Sequence, residues 1–163
     1  MNANAFRQFY DYHFSENRKI WDLYVTQLSN EQFTQQVSYS HGSVRDQIVH
    51  LMNVDEAWFD ELRGVESEEP LPPAGVDDRE SIRARWDSIE QSMRTYLAQL
   101  QDDMLFDKPI REPEEDANLI MWQVLLHVAN HGTDHRAQIL RLLNDLGVET
   151  KSQDYIFYVY EHQ

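Results

Sequence analysis

An apolar stripe runs at steps of three and four through Met121, Val124, Val128, His131, His135, Ile139, Leu142 and Leu146. Only an α-helix lays residues at that spacing along one face. The stripe therefore commits this part of the chain to a long amphipathic helix, and it turns two imidazoles, four residues apart, toward the buried side. A ring with two polar nitrogens is costly to bury without partners, and a second beside it doubles the demand. A metal ion meets that demand, because neutral imidazoles at i and i+4 can bind the same ion. Buried hydrogen bonds between the histidines are the metal-free alternative.

Three more segments carry the helical period, which predicts an all-α chain. Segment one, about Asn4 to Leu28, places Phe6, Phe9, His13, Ile20, Leu23 and Tyr24 near one face, and its end is marked by Ser29 and Asn30. Segment two opens at Ser43, with Asp46 in the capping-box position, and runs to Arg63 before Gly64. Its apolar face is Val44, Ile48, Leu51, Val54, Trp58 and Leu62. A loop with Pro70, Pro72, Pro73 and Gly75 follows, and Asp77 with Glu80 restarts the pattern through Ile82, Trp86, Ile89, Met93, Tyr96, Leu97 and Leu100.

A connector bounded by Pro109 and Pro113, with a little extended structure expected, leads to segment four, from about Asp116 or Ala117 to Leu146, with Gly147 as its stop. The tail DYIFYVYEHQ is too apolar to hang in water and is expected to pack back as a strand-like or single-turn element, or to cover a neighbouring subunit. The sum is a four-helix bundle with a short aromatic C-terminal segment, a single domain over residues 1–163.

With no cysteine in the chain, disulfides, thiolate zinc sites and a cysteine nucleophile are excluded, so any metal is held by nitrogen and oxygen. Fourteen Lys and Arg against 29 Asp and Glu give a formal charge of −15, which opposes nucleic acid and anionic membrane surfaces. The N-terminus lacks the pattern of a signal peptide and no stretch is apolar enough for a membrane span, so a cytoplasmic location is the default expectation.

Which other groups can join His131 and His135 is a question of faces. His50 lies at the margin of segment two's apolar arc, one residue's rotation from Val54, and is the natural third ligand on a second helix. His127 extends the row, but positions 127, 131 and 135 together span about 12 Å of axis, too far for one ion, which leaves it a supporting role. His13 is a reserve candidate, and His41 and His162 read as loop and tail residues. Carboxylates offer another completion, since two histidines and one carboxylate form the facial arrangement of non-haem iron sites. Asp134, three residues past His131, fits that role less well than a salt bridge with Arg141 or a hydrogen bond orienting an imidazole. HGTDH lacks the glutamate of HExxH, so the base of the usual zinc proteases is absent.

These residues carry a family resemblance. SVRDQIVHLMNVDEAWFDELRG is similar to the second helix of the DinB and YfiT-like superfamily, grouped as metal-dependent enzymes, with His50 in the histidine position and Trp58 eight residues on. LLHVANHGTDHRAQIL resembles its signature, an Asn-His pair followed by His-Arg and a Gln, at His131, His135, Arg136 and Gln138. The resemblance spans nearly the whole chain and includes the aromatic ending. It departs at Ala137, where Gly is frequent, and at Asp134, where a further His is common. Segment one, with Tyr12 and Asn17, follows the pattern loosely.

The resemblance implies a bundle whose second and fourth helices hold one divalent metal through His50, His131 and His135, often as a homodimer. It also implies thiol-dependent chemistry on a small-molecule substrate. With no cysteine present, the thiol would be a low-molecular-weight cosubstrate such as bacillithiol, mycothiol or glutathione, and hydrolysis is the simpler variant. Asp134 and Glu56 are the candidate general bases. Zinc, nickel, iron and manganese all remain open. The competing expectation is a non-catalytic metal- or ligand-binding stress-response protein.

Overall fold

The computed structural model describes residues 1–67, 69–72, 79–111 and 113–162. Asn2, in extended conformation, accepts a hydrogen bond from the Ala5 N–H at 2.9 Å and opens helix α1 (Ala3–Lys19). The expected run to Leu28 continues as irregular helix: a π-helical turn at Ile20–Tyr24 and a 3₁₀ turn at Val25–Gln27. Ile20, Trp21, Tyr24 and Val25 of this stretch are all buried in the core. Ser29 does not simply end the segment. It caps a further short helix, α2 (Asn30–Thr34), through a capping box with Gln32.

Helix α3 (Val44–Arg63) starts where the Ser43 hydroxyl accepts from the Asp46 N–H at 3.0 Å, and it stops at Gly64, whose φ of 64° suits a residue without a Cβ. Helix α4 is described over Arg79–Gln99; the start expected at Asp77, with Pro73 and Gly75 of the preceding loop, lies outside the described residues. Past a 3₁₀ turn at Met104–Phe106 the connector carries no strand among the described residues.

Helix α5 (Met121–Asp145) begins later than the expected Asp116 or Ala117. The stretch before it turns on its own short-range bonds, Asp116 N–H to the Pro113 carbonyl at 3.0 Å and Leu119 N–H to the Asp116 carbonyl at 2.9 Å. The aromatic tail is a two-turn helix, α6 (Tyr155–Glu161), rather than a strand. Tyr155 and Tyr158 set their rings edge-on against Tyr12 at 5.1 and 5.6 Å, so the tail rests on α1 while Ile156, Phe157 and Tyr160 stay exposed.

The long helices α1, α3, α4 and α5 form a four-helix bundle, with α3 packed most extensively on α5. Phe6, Tyr10 and Phe14 of α1, Ile48, Leu51 and Phe59 of α3, Ile82 and Met93 of α4, and Val124, Val128 and Ile139 of α5 share one apolar core. No described helix is long and apolar enough to cross a membrane.

Candidate metal centre

The close packing of α3 on α5 brings His50 to the histidine pair. His50 Nε2 lies 3.3 Å from His131 Nε2, and the His50 ring centroid lies 4.6 Å from that of His135. The two α5 rings are 4.2 Å apart. Two nitrogens about 2.0–2.1 Å from one tetrahedral ion sit about 3.3 Å apart, so the His50–His131 spacing matches a shared cation. His131 Nδ1 is buried with no hydrogen-bond partner, so protein atoms alone leave this imidazole half satisfied.

Packing also determines charge. Burial, with His41 and His135 close by, brings the His50 pKa down to about 4, and burial with His135, His50, His127 and His13 brings that of His131 to about 3. Burial lowers His135 as well, assisted by His41 and opposed by Asp134 and Asp55. At neutral pH all three rings are therefore uncharged and offer lone pairs, the form that binds a cation.

Which lone pair His135 offers is settled by a line of amides. His135 Nδ1 pairs with Gln47 Oε1 at 2.9 Å, Gln47 Nε2 donates to Gln138 Oε1 at 3.0 Å, and Gln138 Nε2 donates to Asp134 Oδ2 at 2.9 Å. A carboxylate only accepts, so each amide is oriented in turn and the proton on His135 belongs at Nδ1. Nε2 is left with its lone pair toward the other histidines. Asp134 therefore acts on an imidazole at a distance, through two glutamines. Its sequence-suggested partner Arg141 pairs with Asp145 instead.

Behind this cluster α1 presses against α5. His13 is wholly buried, with Nε2 3.1 Å from Asp55 Oδ2 and Nδ1 3.1 Å from Arg136 Nη1. A guanidinium only donates, so His13 Nδ1 accepts and Nε2–H donates to Asp55. Arg136, also wholly buried, further donates to Asn17 Oδ1 and Thr133 Oγ1, both at 3.1 Å, and to Gln153 Oε1 at 3.2 Å. Burial lowers its pKa. His13 thus serves an internal network and stands apart from the His50 cluster. Gly132 makes room for it: a Cβ there would lie 2.4 Å from His13 Cε1.

The remaining candidates separate clearly. His127 is exposed on α5, with its ring edge-on to Trp58 at 5.2 Å and 5.9 Å from His131. Glu56 forms an ion pair with Arg85 at 2.7 Å. His162 stacks on Tyr158 at the tail, 4.1 Å between centroids. His41 differs from its reading as a loop residue only. It does lie in the α2–α3 loop, but its ring stacks on His50 at 3.8 Å and 20°, and nitrogens of His41, His50 and His135 all fall within 4.8 Å of one another. No periodicity marks it; Ser40 and Gly42 signal a turn and nothing about where the turn aims.

The residues present thus suit a borderline divalent cation, with imidazole nitrogens converging from two helices and a loop. The family model of the DinB family matches the chain over residues 1–163. The chain belongs to the DinB family. Among DinB proteins it is similar to Protein DinB of Bacillus subtilis (strain 168), 23% identical over 167 residues that cover 98% of this chain and 96% of the relative. The histidine cluster and the family membership together fit a DinB-like metal-binding protein.

Proposed function

We propose that His50, His131 and His135 hold one divalent ion and that the protein is a metal-dependent enzyme acting on a small molecule, as a thiol-dependent transferase or a hydrolase. The observation that carries the reading is the 3.3 Å approach of His50 Nε2 to His131 Nε2, two neutral donors from different helices at the spacing of cis ligands. When bound, such an ion lowers the pKa of a water or thiol that reaches it. The chain's own contribution is to keep three imidazoles unprotonated and to aim His135 through Gln47, Gln138 and Asp134. Because the chain has no cysteine, a thiol nucleophile would arrive as a low-molecular-weight cosubstrate. Imidazole donors suit zinc, nickel and iron, and supply in the cell decides among them. The exposed apolar residues of α6, Ile156, Phe157 and Tyr160, are the surface that a homodimer would cover.

A second reading, metal binding without turnover, is favoured by one observation. His41 offers a further imidazole beside His50, and closed structural sites carry four ligands.

Elemental analysis of untagged protein, beside its H50A and H131A variants, tests the metal assignment. We expect about one equivalent of a transition metal in the parent and loss of most of it in both variants. Equal metal content in all three would overturn the assignment, and a thiol-transfer screen with the metal found addresses the reaction.

A further inference from the structure

We propose that His41 is a fourth, displaceable ligand of the ion held by His50, His131 and His135, so that the α2–α3 loop closes the site until a substrate atom takes its place. The inference rests on the metal-binding reading above and adds a gate to it.

The reach is short. Nitrogens of His41, His50 and His135 lie within 4.8 Å of one another, against the roughly 3.3 Å between nitrogens on a tetrahedral ion, a difference that small rotations of a surface ring can close. The loop is built to hold this position. Ser40, with a φ of 50°, is the one described residue other than glycine in the left-handed region, and such a conformation persists only where its surroundings impose it.

Gly42 follows at φ 97°, its N–H donating to the Tyr39 carbonyl at 3.0 Å and its carbonyl accepting from Val37 at 2.8 Å. A Cβ on Gly42 would lie 2.3 Å from Gln36 Oε1, and Gln36 in turn donates to Asp46 Oδ2 at 2.6 Å on the first turn of α3. The two left-handed residues thus bracket His41 and pin it to the helix that carries His50.

What makes His41 displaceable is its setting. His50, His131 and His135 project from bundle helices, whereas His41 is exposed, comes from a loop, and is attached to the site by ring stacking alone among the contacts described. A ligand from a short loop competes at a high effective concentration, yet it leaves without disturbing the bundle.

The test loads metal-free protein with cobalt(II), whose visible absorption reports coordination number, and titrates imidazole as an external ligand. Parent, H41A, G42A and H50A are compared. We expect the intense absorption of four-coordinate cobalt in the parent and a weaker spectrum in H41A, with cobalt affinity reduced on the order of tenfold and external imidazole bound more tightly. G42A, which keeps the imidazole but disrupts the loop, should behave as H41A does. Cobalt binding lost in H50A but unchanged in spectrum, affinity and imidazole response in H41A and G42A would overturn the role of His41 and leave the metal site standing. A parent that binds no cobalt would overturn the metal reading itself.

Discussion

Replacing Gly132 with Ala gives a test in which local and tertiary physics predict opposite signs. In the middle of α5, Gly→Ala should stabilise the helix by about 1 kcal/mol. In this fold the added methyl would lie 2.4 and 2.6 Å from His13 Cε1 and Nδ1 and 3.0 Å from Arg136 Nη1. His13 has nowhere to retreat, being fully buried between the rings of Tyr10 and Phe14 and bonded to Asp55 and Arg136. Overpacking costs about 1–3 kcal/mol and a broken hydrogen bond to a charged group about 1.5–3. After the helical gain, a net loss of roughly 3 kcal/mol remains, equivalent to a fall in Tm of about 6–12 °C for a chain of this size. Urea unfolding of G132A, H13A and the double variant provides the measurement. With His13 truncated the methyl meets no ring, so the second substitution should become neutral or stabilising, a coupling of at least about 2 kcal/mol. A G132A protein as stable as its parent, or additive effects in the double variant, would refute the close approach of α1 to α5.

Other expectations follow from the same geometry. In metal-free protein the depressed folded pKa values of about 4 for His50 and about 3 for His131 lie below the ordinary 6.5, so the unfolded chain takes up protons first as pH falls. The contribution of these rings is complete above pH 6.5 and is lost on descending toward 4 and 3. The stability from urea unfolding between pH 6.5 and 5, above the ordinary carboxylate range, should fall by less than the nominal ~1.4 kcal/mol per unit per group because the rings are only half-buried, and H131Q should flatten the slope. Q138A interrupts the line from Asp134 to His135 and should weaken metal binding by about 10–100-fold, read by chelator competition, with the helical signal unchanged. R136M removes the buried cation near Asp55 and leaves His13 Nδ1 and Asn17 Oδ1 without their donor, and should cost about 3–5 kcal/mol, a fall in Tm of roughly 10 °C by calorimetry. A fall below a few degrees would contradict the network.

Helix content was legible wherever a local signal exists. Ser43 before Asp46, Gly64 after Arg63 and the stripe through α5 are read along one segment at a time, and each lies where the periodicity places it. Boundaries set by distant partners were not legible. The π-helical turn at Ile20–Tyr24 has no marker in its own residues, and the first residue of α5, Met121, bonds through its N–H to the Asp107 carbonyl at 2.9 Å, a partner outside its segment. The tail's apolar sequence requires a surface to rest on but does not name Tyr12 as that surface or helix as its conformation.

For the site, the chain by itself determined that His131 and His135 share an inward face, because two positions four apart on a helix cannot do otherwise. It also determined that any metal is held without thiolate, because there is no cysteine. Tertiary structure alone brought His50 to within 3.3 Å of His131, since that distance depends on how α3 rolls on α5. It alone separated His13 from the cluster and drew His41 to it, and it alone linked Asp134 to His135 through two glutamines. Spacing along one helix is a local property, whereas the meeting of side chains from different elements is determined by packing.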